Sequence, residues 1–168
     1  MGLFSFFASL TPKHAADRII AFATAINVSN DELNVAMAIG AETHLLVKER
    51  VLFRLAFALS SVSYFHGKGP HPKIRELYEI LDSQAFHYLF TIPGVSGDEA
   101  GQLWARARSD YMVKLPNELA SLMITNIHAN EFKPVSPQAM AAFLTLVHGY
   151  ARESMTQAGE LAKKLRSM

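Results

Sequence analysis

The stretch from Asn30 to His66 contains no proline and a single glycine, Gly40, and it joins two apolar segments, Val35–Ala41 and Val51–Leu59, through a belt of charge. At helical periodicity both segments are hydrophobic nearly all round, which in a protein without a membrane span marks a helix enclosed by others. The belt holds Glu42, His44, Lys48, Glu49, Arg50 and Arg54. At about 100° per residue these side chains point in almost every direction, so no single solvent face takes them all. Some must be paired, or must line something.

Length restricts what the stretch can do. A straight helix over 30–66 would run about 55 Å, whereas a compact chain of 168 residues has a radius of gyration near about 15 Å. Either the helix bends at Gly40, where helix propensity is weakest, or its end projects into an oligomer. The C-terminal stretch 137–165 raises the same issue, because Met140, Leu144, Val147, Ala151, Ser154, Ala158, Leu161 and Leu165 follow an approximate 3-4 spacing. A hydrophobic fraction of 50% and a mean hydropathy of +0.13 point the same way. The expectation is a homodimer, with a further protein partner left open.

Helix starts are well marked elsewhere. Thr11 and Pro12 read as N-cap and first helical residue, opening a helix that buries Ile19, Ile20, Phe22, Ala23 and Ile26. Ser29 with Glu32 forms a capping box, with Val28 and Leu33 as its apolar staple, and Ser96 with Glu99 repeats the box. Ser136 and Pro137 open the last helix. Two more helices span 72 to about 90 and 117 to about 131. The breakers fall in short loops, and no segment alternates with period two long enough to make a strand. The chain therefore reads as all-α: one domain over 1–168, built from about six helices, with a short N-terminal helix as a possible seventh.

Charge and composition narrow the function classes. Sixteen Lys and Arg against fifteen Asp and Glu leave a net charge of +1, so no global field draws the chain to nucleic acid. Zero cysteines exclude disulfides, thiolate metal sites and cysteine nucleophiles, and fit a cytoplasmic location. The opening MGLFSFFASL is apolar but has no basic residues before its apolar run, so it reads as retained sequence rather than a leader. Leu3, Phe4, Phe6, Phe7 and Leu10 are then expected to dock on the core, with contact to a partner or a membrane surface through 3–10 as the other outcome. No run is long enough for a transmembrane helix.

The candidate ligand-binding residues are Arg50, Arg54, Glu42, Glu49 and His44. Arg50 and Arg54 lie one turn apart, a spacing at which like charges repel unless an anion sits between them, so they suggest a carboxylate or phosphate clamp. The competing reading pairs them with carboxylates such as Glu76, Glu79 or Glu118. Glu42 and Glu49 share a face, yet no Glu-x-x-His occurs in the chain, and His128 with Glu131 is only its reverse. No metal site and no cofactor is expected on that ground. The loop HGKGPH brings His66, Lys68 and His71 around two glycines, either as an anion-holding nest or as a tight turn between helices. Without GxSxG, HExxH or SxxK there is no nucleophile or metalloprotease signature. The functional expectation is a helical interaction or regulatory module without catalysis; the alternative is a small-ligand binder or enzyme with a pocket at the belt.

Overall fold

Gly40 decides how the central stretch is divided. It adopts a φ of +65°, its amide donates to the Met37 carbonyl at 3.1 Å, and the Ala41 amide donates to Ala36 at 2.9 Å. This bond pair closes a helix around one left-handed residue, which glycine tolerates best. A β-carbon there would meet nothing within 4 Å, so the requirement is conformational. The computed structural model describes residues 10–92, 95–112, 116–129 and 133–168, with the backbone alone at 116 and 117. Among them are seven helices: α1 (Pro12–Ala23), α2 (Asn30–Ala38), α3 (Thr43–Gly67), α4 (Pro72–Leu89), α5 (Gly97–Tyr111), α6 (Pro116–Ile127) and α7 (Pro137–Arg166). The single helix expected over 30–66 is thus corrected to α2 and α3, and this break supplies the seventh helix. The N-terminal segment 1–9, where a short helix and core docking were expected, lies outside the described residues, as does Glu131.

No strand occurs among the described residues, and the all-α reading holds. The core is one continuous cluster, with α3 at its centre packing against each of the other six helices. Leu46, Leu52, Phe53, Leu55, Ala56, Ala58, Leu59 and Val62 are all buried along it, each large side chain contributing about 1.5–3 kcal/mol on burial. Its main partner is α7. Val147, Ser154, Ala158, Leu161 and Leu165 of the 3-4 stripe are buried, so most of that stripe closes the chain's own core. The stretch 30–66 is no unbroken rod, since Gly40 divides it, whereas α7 runs unbroken over 30 residues. The length argument drawn from 30–66 therefore falls away, and the apolar stripe of α7 is largely used within the chain's own core.

Local sequence explains most helix ends. The Ser29 hydroxyl accepts from the Glu32 amide while Glu32 accepts from the Ser29 amide at 2.8 Å, completing the first capping box. At α5 the Glu99 amide donates to the Ser96 hydroxyl at 3.3 Å, which is one half of the second box. Thr11 and Ser136 cap α1 and α7 ahead of their prolines. Expected burial is only partial at Ile20 and Phe22 and fails at Ile26 and Met37. Helix α1 stops at Ala23 and leaves Ile26 exposed, and Met37 projects from the outer face of the short α2. No helix among the described residues is long and apolar enough to cross a membrane.

Candidate functional site

The belt residues separate into three environments because successive positions on α3 face different neighbours. Arg50 is fully buried. Its Nη1 donates to Glu32 and, at 3.0 Å, to the Asn27 carbonyl, while Nη2 donates to the Ala25 carbonyl at 2.7 Å. It thereby clamps the α1–α2 connection to α3. Glu32 also accepts from the Tyr150 hydroxyl at 2.6 Å, tying α7 into the same knot. Burial alone would raise the Glu32 carboxyl. The Ser29 amide, the Tyr150 hydroxyl and the Arg50 guanidinium outweigh it and hold the group at about 2. Burial, then hydrogen bonding to Glu32, pushes the Tyr150 phenol well above its usual range.

Glu49 faces the opposite side and is equally enclosed. It accepts from Arg106 Nη2 at 2.8 and 3.1 Å, from Asn126 Nδ2 at 3.2 Å, and from the Tyr111 hydroxyl. This second knot joins α3 to α5 and α6. Burial first, and the adjacent Glu49 charge second, drive the Tyr111 phenol strongly upward, so it stays a donor. Arg54 occupies an intermediate position. It donates to Glu153 at 2.9 Å and lies over the rings of Phe22 and Tyr150 at 4.9 and 5.1 Å. Burial, then repulsion from Arg50, lowers its affinity for the proton.

Neither arginine pairs with Glu76, Glu79 or Glu118; the carboxylates that meet them are Glu32 and Glu153. Glu42 and His44 form the third environment, an exposed pair 3.2 Å apart at the start of α3. Thus Arg50, Arg54 and Glu49 are placed in two separate polar knots, and Glu42 and His44 in neither. Sequence reasoning missed Glu32 as a buried acid, because it reads as a capping residue, and missed Arg106, Tyr111, Asn126, Tyr150 and Glu153 as partners. Another unforeseen pairing joins α5 to α4, where the Trp104 indole donates to Asp82 at 2.8 Å.

The loop HGKGPH uses its carbonyls. Arg166 of α7 donates to the Phe65 and Lys68 carbonyls at 2.6 and 2.8 Å, a cation meeting the negative end of α3. The Lys68 ammonium lies over the rings of Tyr64 and Phe65 at 4.4 and 5.6 Å. His66 is exposed, whereas His71 is half-buried with its Nδ1 unpartnered, so the three loop side chains have different surroundings. His128 is buried with its Nε2 3.0 Å from the Ile39 carbonyl, at the end of α2. Among the described residues no three His, Asp or Glu side chains cluster as metal ligands.

The described residues leave several cavities, among them a small one of about 270 Å³ where Ser29, Glu32, Arg54 and Glu153 meet Tyr150, and two larger ones. One, of about 520 Å³, is lined by Ile26, Val51, Ile92 and Val95, with His44, Lys48 and Glu99 among its polar groups. The other, of about 670 Å³, is a groove between the second halves of α3 and α7, lined by Phe57, Tyr64, Phe65, Met112, Met155 and Gly159 with Glu160 and Lys163. Tyr64 and Met155 are 63% and 55% exposed on it. A β-carbon at Gly159 would lie 3.6 Å from the Phe65 ring, an ordinary van der Waals contact, so the helix spacing there does not depend on glycine. No family model, curated protein or solved structure matches the chain.

Proposed function

We propose that this chain is a helical interaction module that self-associates without catalysis, and that its contact surface is the apolar groove between α3 and α7. The observation that carries the reading is the pairing of exposed Tyr64 and Met155 over a floor of Phe57, Phe65 and Met112. Large apolar side chains held together in the open mark contact surfaces, and a channel between two helices suits an inserted apolar helix. The belt supports the same reading from the other direction. Arg50, Glu49 and Arg54 already hold carboxylates, a phenol or backbone carbonyls, so their charges are committed to joining helices. Native mass spectrometry and sedimentation of the full chain test it. The expected species at high micromolar concentration is a dimer, converted to monomer by Met155→Glu; a monomeric wild-type chain overturns the reading.

A second reading rests on the cavity at the start of α3. Its apolar walls and the half-buried Lys48 suit a small apolar molecule with an anionic end, and its volume lies in the range of such sites. A monomer that carries a copurified small molecule, lost on Lys48→Met, would favour this reading over self-association.

A further inference from the structure

We infer that the helix seated in the α3–α7 groove is α7 of a second copy of this chain, laid antiparallel to the first and crossing it at Thr156; this rests on the groove reading above. Arg54 meets Glu153 and Phe65 meets Arg166, so α3 and α7 run side by side in the same direction. The wall that α7 gives to the groove consists of Met155, Thr156, Gly159, Glu160 and Lys163. At about 100° per residue Arg152 falls on the same face, between Met155 and Thr156 in angle. Thr156, Gly159 and, on the α3 wall, Ser60 and Ser61 are small, which lets a further helix approach both walls closely.

Charge selects the helix and its direction. Arg152 and Glu160 are both exposed, and neither joins an ion pair among the described residues. They lie four residues to either side of Thr156. A two-fold axis at Thr156 that sets two α7 helices antiparallel therefore brings Arg152 of each copy level with Glu160 of the other. Lys163 comes level with Gly149 and meets no like charge. A parallel pair would instead set Arg152, Glu160 and Lys163 each against its own counterpart, and like charges brought together across an interface are costly.

The same antiparallel crossing carries each Met155 over the other copy's floor of Phe57, Phe65 and Met112. A flexible thioether against aromatic rings fills such a floor favourably. The exposed face of α7 is thus complementary to itself in one orientation, which is what a two-fold contact requires.

The chain has no cysteine, so one introduced at the crossing reports on it directly. In the full-length variant Thr156→Cys, mild oxidation is expected to give a disulfide dimer. The control Ser83→Cys, exposed on α4, should give no more than background. Sedimentation at low ionic strength reads the charge pairs. Arg152→Glu and Glu160→Arg should each weaken the dimer by at least about tenfold, and the double variant should return to within about threefold of the parent. A dimer that Met155→Glu dissociates, but that neither cross-links above the control nor recovers in the charge swap, overturns the antiparallel pairing and leaves the groove reading intact. A dimer insensitive to Met155→Glu overturns both. So does a parent chain that sediments as a monomer, which leaves the groove to an occupant other than a second copy.

Discussion

The two halves of α3 dispose of their side chains in opposite ways. From Leu46 to Arg54 the helix buries Glu49, Arg50 and most of Arg54, each bound to groups from other helices or from the α1–α2 connection. From Phe57 to Phe65 it carries no charge, yet leaves Tyr64 in the open and Phe57 and Phe65 half-covered. Charge density in the sequence thus marks where the bundle is tied together. The exposed chemistry lies one to three turns away and is apolar. A buried ion is costly unless a counter-charge and hydrogen bonds offset its lost hydration. Both Nη atoms of Arg50, Nη2 of Arg54 and the Glu49 carboxylate meet partners, while the Nε atoms of Arg50, Arg54 and Arg106 are buried without one. Apolar surface carries no such requirement and can remain uncovered until a partner arrives.

The first way to break this contrast is to remove a charge from each knot. Arg50→Met should destabilise the chain by about 3–5 kcal/mol, because Glu32 is left buried without its counter-charge and two backbone carbonyls lose their donor. Glu49→Leu should cost less, about 2–3 kcal/mol, since Arg106 is partly exposed and can hydrate, leaving Tyr111 and Asn126 as the main losses. Chemical denaturation of both variants measures this. If Arg50→Met costs under about 1 kcal/mol, the first half of α3 is not held by its charges and the comparison fails.

How far the sequence led can be seen at the same residues. The capping boxes, the all-helical class and most helix starts were legible because each depends on residues within four positions of one another. The break at Gly40 was foreseeable only as an alternative, since a lone glycine is compatible with a bent helix as well as a terminated one. The partners of Arg50 and Glu49 were not legible. Tyr150 meets Glu32 across 118 positions and Asn126 meets Glu49 across 77, and no periodicity on one helix encodes such pairings. Glu32 was hidden by doing two jobs, as capping residue and as buried counter-ion. The groove was obscured for a different reason: Tyr64 and Met155 sit at ordinary core spacing, and only the course of α3 and α7 leaves them uncovered.

Acid provides a second, gentler perturbation of the first half. Glu32 titrates at about 2 in the folded chain against an ordinary value of 4.5. A depressed carboxyl stabilises the fold fully above its ordinary value, and that contribution is lost as pH falls towards the folded one. Stability should therefore decline between 4.5 and about 2, and Glu32→Gln should flatten that part of the profile while lowering its plateau. An unchanged profile in the variant would mean that other carboxylates govern the acid limb.

The smallest effect is expected in the second half, and its smallness is informative. Met155 is 55% exposed and takes part in none of the polar knots, so Met155→Glu should leave the stability of the folded chain within about 0.5 kcal/mol of the parent. The measurement must be made at a concentration low enough that association adds nothing to apparent stability, because a partner that binds only the folded state raises it by mass action. Two denaturation curves at dilute and concentrated protein separate the contributions. The parent should gain stability with concentration and the variant should not. A loss of several kcal/mol in the dilute variant would show that Met155 belongs to the core after all, and the open half of α3 would then differ from the charged half only in composition.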